Sequence, residues 1–111
     1  MRSKTISALI EMGMPANIKG FHYIVESMCM FEKDSSFITG KTTILYKELS
    51  KMFNSTPSRV ERAIRHAFSI VLTNGDLKVV QKYLTLQYKK NGNLLSTLYL
   101  RLSMEGQNEN D

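Results

Sequence analysis

The stretch from Thr56 to Gly75 leaves this chain the least conformational freedom. Thr56 is a residue type whose hydroxyl caps helix N-termini, Pro57 suits the first helical position, and Asn74-Gly75 reads as a stop. At about 100° per residue, Val60, Ala63, Ile64, Ala67 and Val71 fall within one arc. Ser58, Arg59, Arg62, Arg65 and His66 take the remaining surface, with Ser69 further along. The spacing predicts a helix from Pro57 to Thr73 that buries one side and presents a cationic other side.

Helical periodicity continues through the rest of the chain. Ser3 to Met12 places Ile6, Leu9 and Ile10 together before Gly13 and Pro15 end the run. Ile18 to Lys33 repeats the pattern with Ile18, Phe21, Val25 and Met28, and Asp34-Ser35-Ser36 closes it. Thr43 to Phe53 carries Leu45, Leu49, Met52 and Phe53 at i, i+4, i+7 and i+8. Asp76 to Leu84 reads as a shorter helix. Asn91-Gly92-Asn93 reads as a turn, and Leu94 to Met104 as a last helix with Leu95, Leu98 and Leu102 inward. Only Leu84, Leu86 and Tyr88 alternate in a way that fits a short strand. The expectation is one all-α domain of about six helices spanning residues 1–105, followed by a polar, disordered tail at 106–111.

Composition removes other classes. A chain of 111 residues with 42% hydrophobic and 23% charged residues is a folded domain long enough to bury a core. No apolar run approaches the roughly 20 residues that cross a bilayer, and the N-terminus lacks the apolar stretch and cleavage site of a signal peptide. A single cysteine, Cys29, excludes an internal disulfide framework and a Cys-rich zinc module, and is expected in the core. His22 and His66 have no metal-ligand partners at suitable spacing. No cofactor, metal, membrane or small-molecule substrate is expected, and no nucleophile–base–acid set marks an enzyme. Gly40-Lys41-Thr42 echoes the end of a phosphate-binding loop, but Ser35 stands where its first glycine belongs and no strand precedes it. The expected compartment is the cytoplasm, at the nucleoid when DNA is bound.

The charge pattern suits a polyanion, nucleic acid before an anionic membrane surface, and equally suits an ordinary solvated face. The net charge is +5, yet residues 1–104 hold 15 bases and 7 acids, because the last seven residues hold three acids and no base. Between Lys41 and His66 stand six bases and two acids, the acids being Glu48 and Glu61. Two helices joined by a short polar turn, the second strongly basic, make the helix-turn-helix pattern that sets one helix into the major groove. Small Ala63 and Ala67 are expected to let the preceding motif helix approach closely. Arginine can meet guanine O6 and N7 with two parallel hydrogen bonds, and a carboxylate can accept from cytosine N4. Glu61 has a plainer role open to it, a surface pair with Arg65 one turn on. Lys47 and Lys51, on the first motif helix, can reach phosphates or remain solvated.

The run from Asn54 to Ala67, NSTPSRVERAIRHA, closely resembles the recognition helix of the stage 0 sporulation protein A family. Pro15 to Gly20, Leu45-Tyr46 and Lys51 to Asn54 extend the likeness, which covers about Thr5 to Glu105 and corresponds to that family's C-terminal effector domain. The resemblance implies a six-helix DNA-binding domain that regulates transcription by recognising a promoter box similar to TGTCGAA. Arg59, Glu61 and Arg62 then read bases, while Ser58, Arg65 and His66 lie beside the sugar-phosphate backbone. Lys41, Thr42, Lys47 and Lys51 are the further backbone candidates. Family members occupy adjacent boxes as tandem dimers, so double-stranded DNA and a homodimer on it are the implied partners.

Two departures stand out: no receiver domain fits within this length, and an acidic tail replaces the family's basic last-helix end. An alternative of another class is a protein-interaction module of the same fold. It would have lost selective DNA readout and would pair with a full-length regulator through the apolar second helix, around Tyr23, Met30 and Phe31.

Overall fold

A computed structural model describes residues 1–108, with side chains through Met104. The described residues form seven helices and no strand: α1 (Arg2–Glu11), α2 (Lys19–Lys33), α3 (Ser36–Thr39), α4 (Thr42–Met52), α5 (Pro57–Asn74), α6 (Leu77–Tyr83) and α7 (Asn91–Asn108). The expected all-α class holds, with one more helix than the periodicity suggested. That extra element is the four-residue α3. It follows Asp34, whose Oδ1 accepts from both the Ser36 backbone N–H and the Ser36 hydroxyl at the point read as a simple stop.

The second helix is the hub. It packs against α1, α3, α4, α5 and α7, and buries Phe21, Tyr23, Ile24, Val25, Met28 and Phe31. This overturns one expectation. The apolar circumference of α2 is consumed inside the fold, so Tyr23 and Phe31 form no pairing face, and Met30 is only partly exposed. The face on which the interaction-module alternative rested is core.

Gly20 explains how α2 comes so close to α5. A Cβ on Gly20 would stand 2.2 Å from the Ala63 carbonyl oxygen and 2.7 Å from the Ala67 Cβ. Only glycine fits there, and only against small side chains. Ala63 and Ala67 therefore admit α2, where the sequence alone points to the preceding motif helix.

Helix ends follow their local chemistry. α1 stops at Gly13, whose φ is +91°, and the Met14 N–H returns to the Leu9 carbonyl at 2.9 Å. α4 stops the same way with Asn54 in the left-handed region (φ 52°) and the Ser55 N–H bonded to the Ser50 carbonyl at 2.8 Å. Both are the six-to-one closure of a left-handed helix cap.

Three further expectations change. Residues 84–90 form no strand: Leu84 and Leu86 turn toward the core, and the Arg101 guanidinium donates to the carbonyls of Gln81 and Leu84. Asn91-Gly92-Asn93 is no turn but the first turn of α7, opened by the Leu94 N–H bonding the Lys90 carbonyl at 3.0 Å. Cys29 is half-buried rather than in the core. The expected tail at 106–111 begins within the end of α7, and residues 109–111 lie outside the described residues.

Glu11 ties α1 to α6. Its carboxylate accepts from the Tyr83 hydroxyl at 2.5 Å and the Lys82 ammonium at 2.9 Å. The Tyr83 hydrogen bond, aided by Lys82, holds the Glu11 carboxyl below the usual carboxylate range.

Candidate nucleic-acid interface

Helices α4 and α5 pack together across the Phe53–Thr56 turn and make the helix-turn-helix pair. Tyr23 of α2 supports that turn, its ring meeting the Phe53 ring edge-on at a centroid distance of 4.9 Å. At the far side of the turn the Thr56 hydroxyl accepts the Arg59 backbone N–H at 3.3 Å, and Pro57 occupies the first turn. The entry of α5 is thus defined by a cap the sequence announces.

The core face of α5 is Val60, Ile64, Ala67, Phe68 and Val71, each at most 1% exposed. Ser58, Arg59, Arg62, Arg65, His66 and Ser69 are exposed, within an arc of about 120° at the helical period. This is the width of one face. The tertiary structure therefore leaves the expected base-reading arginines and three of the expected backbone residues exposed on one face of the helix.

Their electrostatic states differ. Among the described residues the side chains of Arg59 and Arg62 make no hydrogen bond or ion pair. Glu61 and Arg65 bind each other, Nη1 to Oε1 at 2.9 Å, so the plainer role open to Glu61 is filled. A single exposed pair of this spacing is worth only about 0.3–0.5 kcal/mol and can be remodelled by a stronger partner. Glu61 is half-buried, and among the described residues its second carboxylate oxygen makes no hydrogen bond.

The remaining candidates lie along α4. Lys41 and Lys47 are exposed and Thr42 is half-buried at the start of the helix. Lys51 stands 3.7 Å from Glu48 across exposed surface, a weak pairing. Thr42, Glu61 and Arg65 line one groove of about 800 Å³; Lys41, Lys47 and Lys51 are outside its lining.

One contributor escaped the sequence reading. Asn91 is 8% exposed, and its Nδ2 donates to the Tyr46 hydroxyl of α4 at 3.2 Å and to the Glu61 carbonyl of α5 at 3.1 Å. A single amide thus fastens α7 to both helices of the motif. The signal was present as a polar Asn91 ahead of an apolar run, but an Asn-Gly-Asn string speaks more strongly for a turn.

No group of three or more His, Cys, Asp or Glu able to hold a metal ion exists among the described residues. Likewise no described helix is long and apolar enough to cross a membrane. Among known families, the model of the sporulation initiation factor Spo0A C terminal matches residues 5–102.

Proposed function

The chain belongs to the sporulation initiation factor Spo0A C-terminal family, a family of DNA-binding effector domains of transcription regulation, and from that premise we propose that it reads a TGTCGAA-like promoter box through α5. The observation that carries this reading is the pair Arg59 and Arg62. Both stand exposed and without an internal partner on a helix whose opposite face is locked into the core. A guanidinium that keeps all its donors can bind guanine O6 and N7 in parallel, and a fixed helix supplies the register that such a contact needs.

Glu61 completes the readout. Its Oε1 holds Arg65, which leaves Oε2 to accept from a cytosine N4 amine. The ion pair offsets the repulsion a lone carboxylate would meet near phosphates. Ser58, Arg65 and His66, with Lys41, Thr42, Lys47 and Lys51 from the first motif helix, supply the backbone contacts that position the domain without reading sequence. Two copies on adjacent boxes would form the tandem dimer, and the site of action is the nucleoid.

Fluorescence anisotropy on a duplex carrying the box against a scrambled duplex, at two salt concentrations, tests the reading. A preference of about a thousandfold or more is expected of a specific reader. Equal and steeply salt-dependent affinity for both duplexes would reduce the surface to a generic cationic one.

A further inference from the structure

Outside the face of α5, the strongest unassigned charge is the pair Lys89-Lys90, just before α7. Both are exposed, and neither makes an ion pair among the described residues. They line the same groove as Thr42, Glu61 and Arg65. The Glu61–Arg65 pair cancels its own charge, so the field of the groove is that of the two lysines. Asn91, the next residue, is the buried amide that grips Tyr46 and the Glu61 carbonyl. The lysines are therefore anchored to the motif rather than carried on a free loop.

The position matters because a helix in the major groove is flanked on each side by a phosphate strand. The groove itself is about 12 Å wide, so residues just beyond either edge of the reading helix meet backbone rather than bases. Glu61 and Arg65 mark one edge of the exposed face of α5, Lys89 and Lys90 line the same groove, and Asn91 ties their segment to the Glu61 carbonyl at that edge.

We propose that Lys89 and Lys90 form a further DNA-backbone contact, gripping phosphates of the strand that flanks the segment read by α5, with Asn91 as the residue that positions them. The occupant is the DNA backbone, chosen by charge complementarity and by continuity with the reading face. This inference rests on the proposed role of α5 for its geometry but not on base discrimination, because phosphate contacts are made with any sequence.

The test is the salt dependence of affinity for the box duplex and the scrambled duplex, wild type against the Lys89→Gln/Lys90→Gln double variant. Each phosphate contact contributes about 0.9 to the slope of log K against log salt, so the slope should shrink by about two on both duplexes. The double variant Lys4→Gln/Lys33→Gln removes the same charge from exposed positions on α1 and α2, outside the groove, and should leave the slope nearly unchanged. Neutral methylphosphonates placed one at a time along the flank should reproduce the loss in wild type and add nothing in the Lys89/Lys90 variant.

An unaltered slope in the Lys89/Lys90 variant overturns the proposal, as does an equal loss in the two double variants, which would mean a diffuse field. Loss of slope on both duplexes without any box preference would sink the base-reading role of α5 while sustaining this contact. A wild-type chain with box preference and an unaltered variant slope would do the reverse.

Discussion

The two faces of α5 obey different rules. On the inner face Val60, Ile64, Ala67 and Val71 have no exposed surface, and Gly20 is pressed against the Ala63 carbonyl with no room for a methyl group. On the outer face Arg59 and Arg62 stand in solvent. Substitution inside should cost stability, and in the tightest places folding itself, because close-packed interiors pass on strain. Substitution outside should change binding and leave the fold alone. The proposed reading role draws on both properties: the first fixes where the arginines stand, and the second leaves their donors free for DNA.

The sharpest way to break this contrast is at Gly20. A Gly20→Val chain should fail to fold at 37 °C, since even its Cβ would overlap a backbone carbonyl that cannot rotate away. Circular dichroism would decide it, and a cooperative melt at the wild-type temperature would show that α2 and α5 can separate at no cost. Next comes Ile64→Ala, which should lose about 2–5 kcal/mol in urea unfolding through the cavity it leaves.

Arg62→Ala sharpens the comparison from the other side. Its stability should stay within about 0.5 kcal/mol of wild type. Its affinity for the box should fall by about 1–3 kcal/mol and its discrimination relax. Equal weakening on the box and on random DNA would demote Arg62 to a phosphate contact.

Smaller effects follow at the borders of the helix and beyond. Thr56→Ala removes the acceptor for the Arg59 N–H and should cost about 1 kcal/mol in thermal stability, measured by melting curves. At Glu11 the folded carboxyl lies below its ordinary range because of Tyr83 and then Lys82. The stabilisation it brings is therefore present above the ordinary carboxylate pKa and is lost as pH falls through the lower folded value. The unfolding midpoint of wild type should fall as pH drops below the ordinary carboxylate range and fall less in Glu11→Gln, with no change in box preference.

Much of this was legible in the chain, and the reason is locality. The α5 cap at Thr56, Pro57 at its start and the period of its apolar residues act within a few positions of one another, so neighbours in sequence suffice to read them. The same holds for the stop at Gly13. Segments whose conformation depends on distant partners were read less well. Asn91-Gly92-Asn93 has turn chemistry, yet Asn91 meets Tyr46 and Glu61, and the segment is helical. Leu84 and Leu86 alternate like a strand but have no neighbouring strand to pair with, and they pack toward the core instead.

By itself, the sequence determined what local spacing carries: where most of the helices run, which side of α5 is apolar, and that its other side is cationic, because side-chain spacing at the helical period holds that information. Only the tertiary structure decided which helix fills the small-residue notch at Ala63 and Ala67, that α2 is enclosed rather than free, that Glu61 is engaged by Arg65 while Arg59 and Arg62 are not, and that Lys89 and Lys90 stand beside the motif. Each of those depends on contacts between residues far apart in the chain, and such contacts form only when the helices pack.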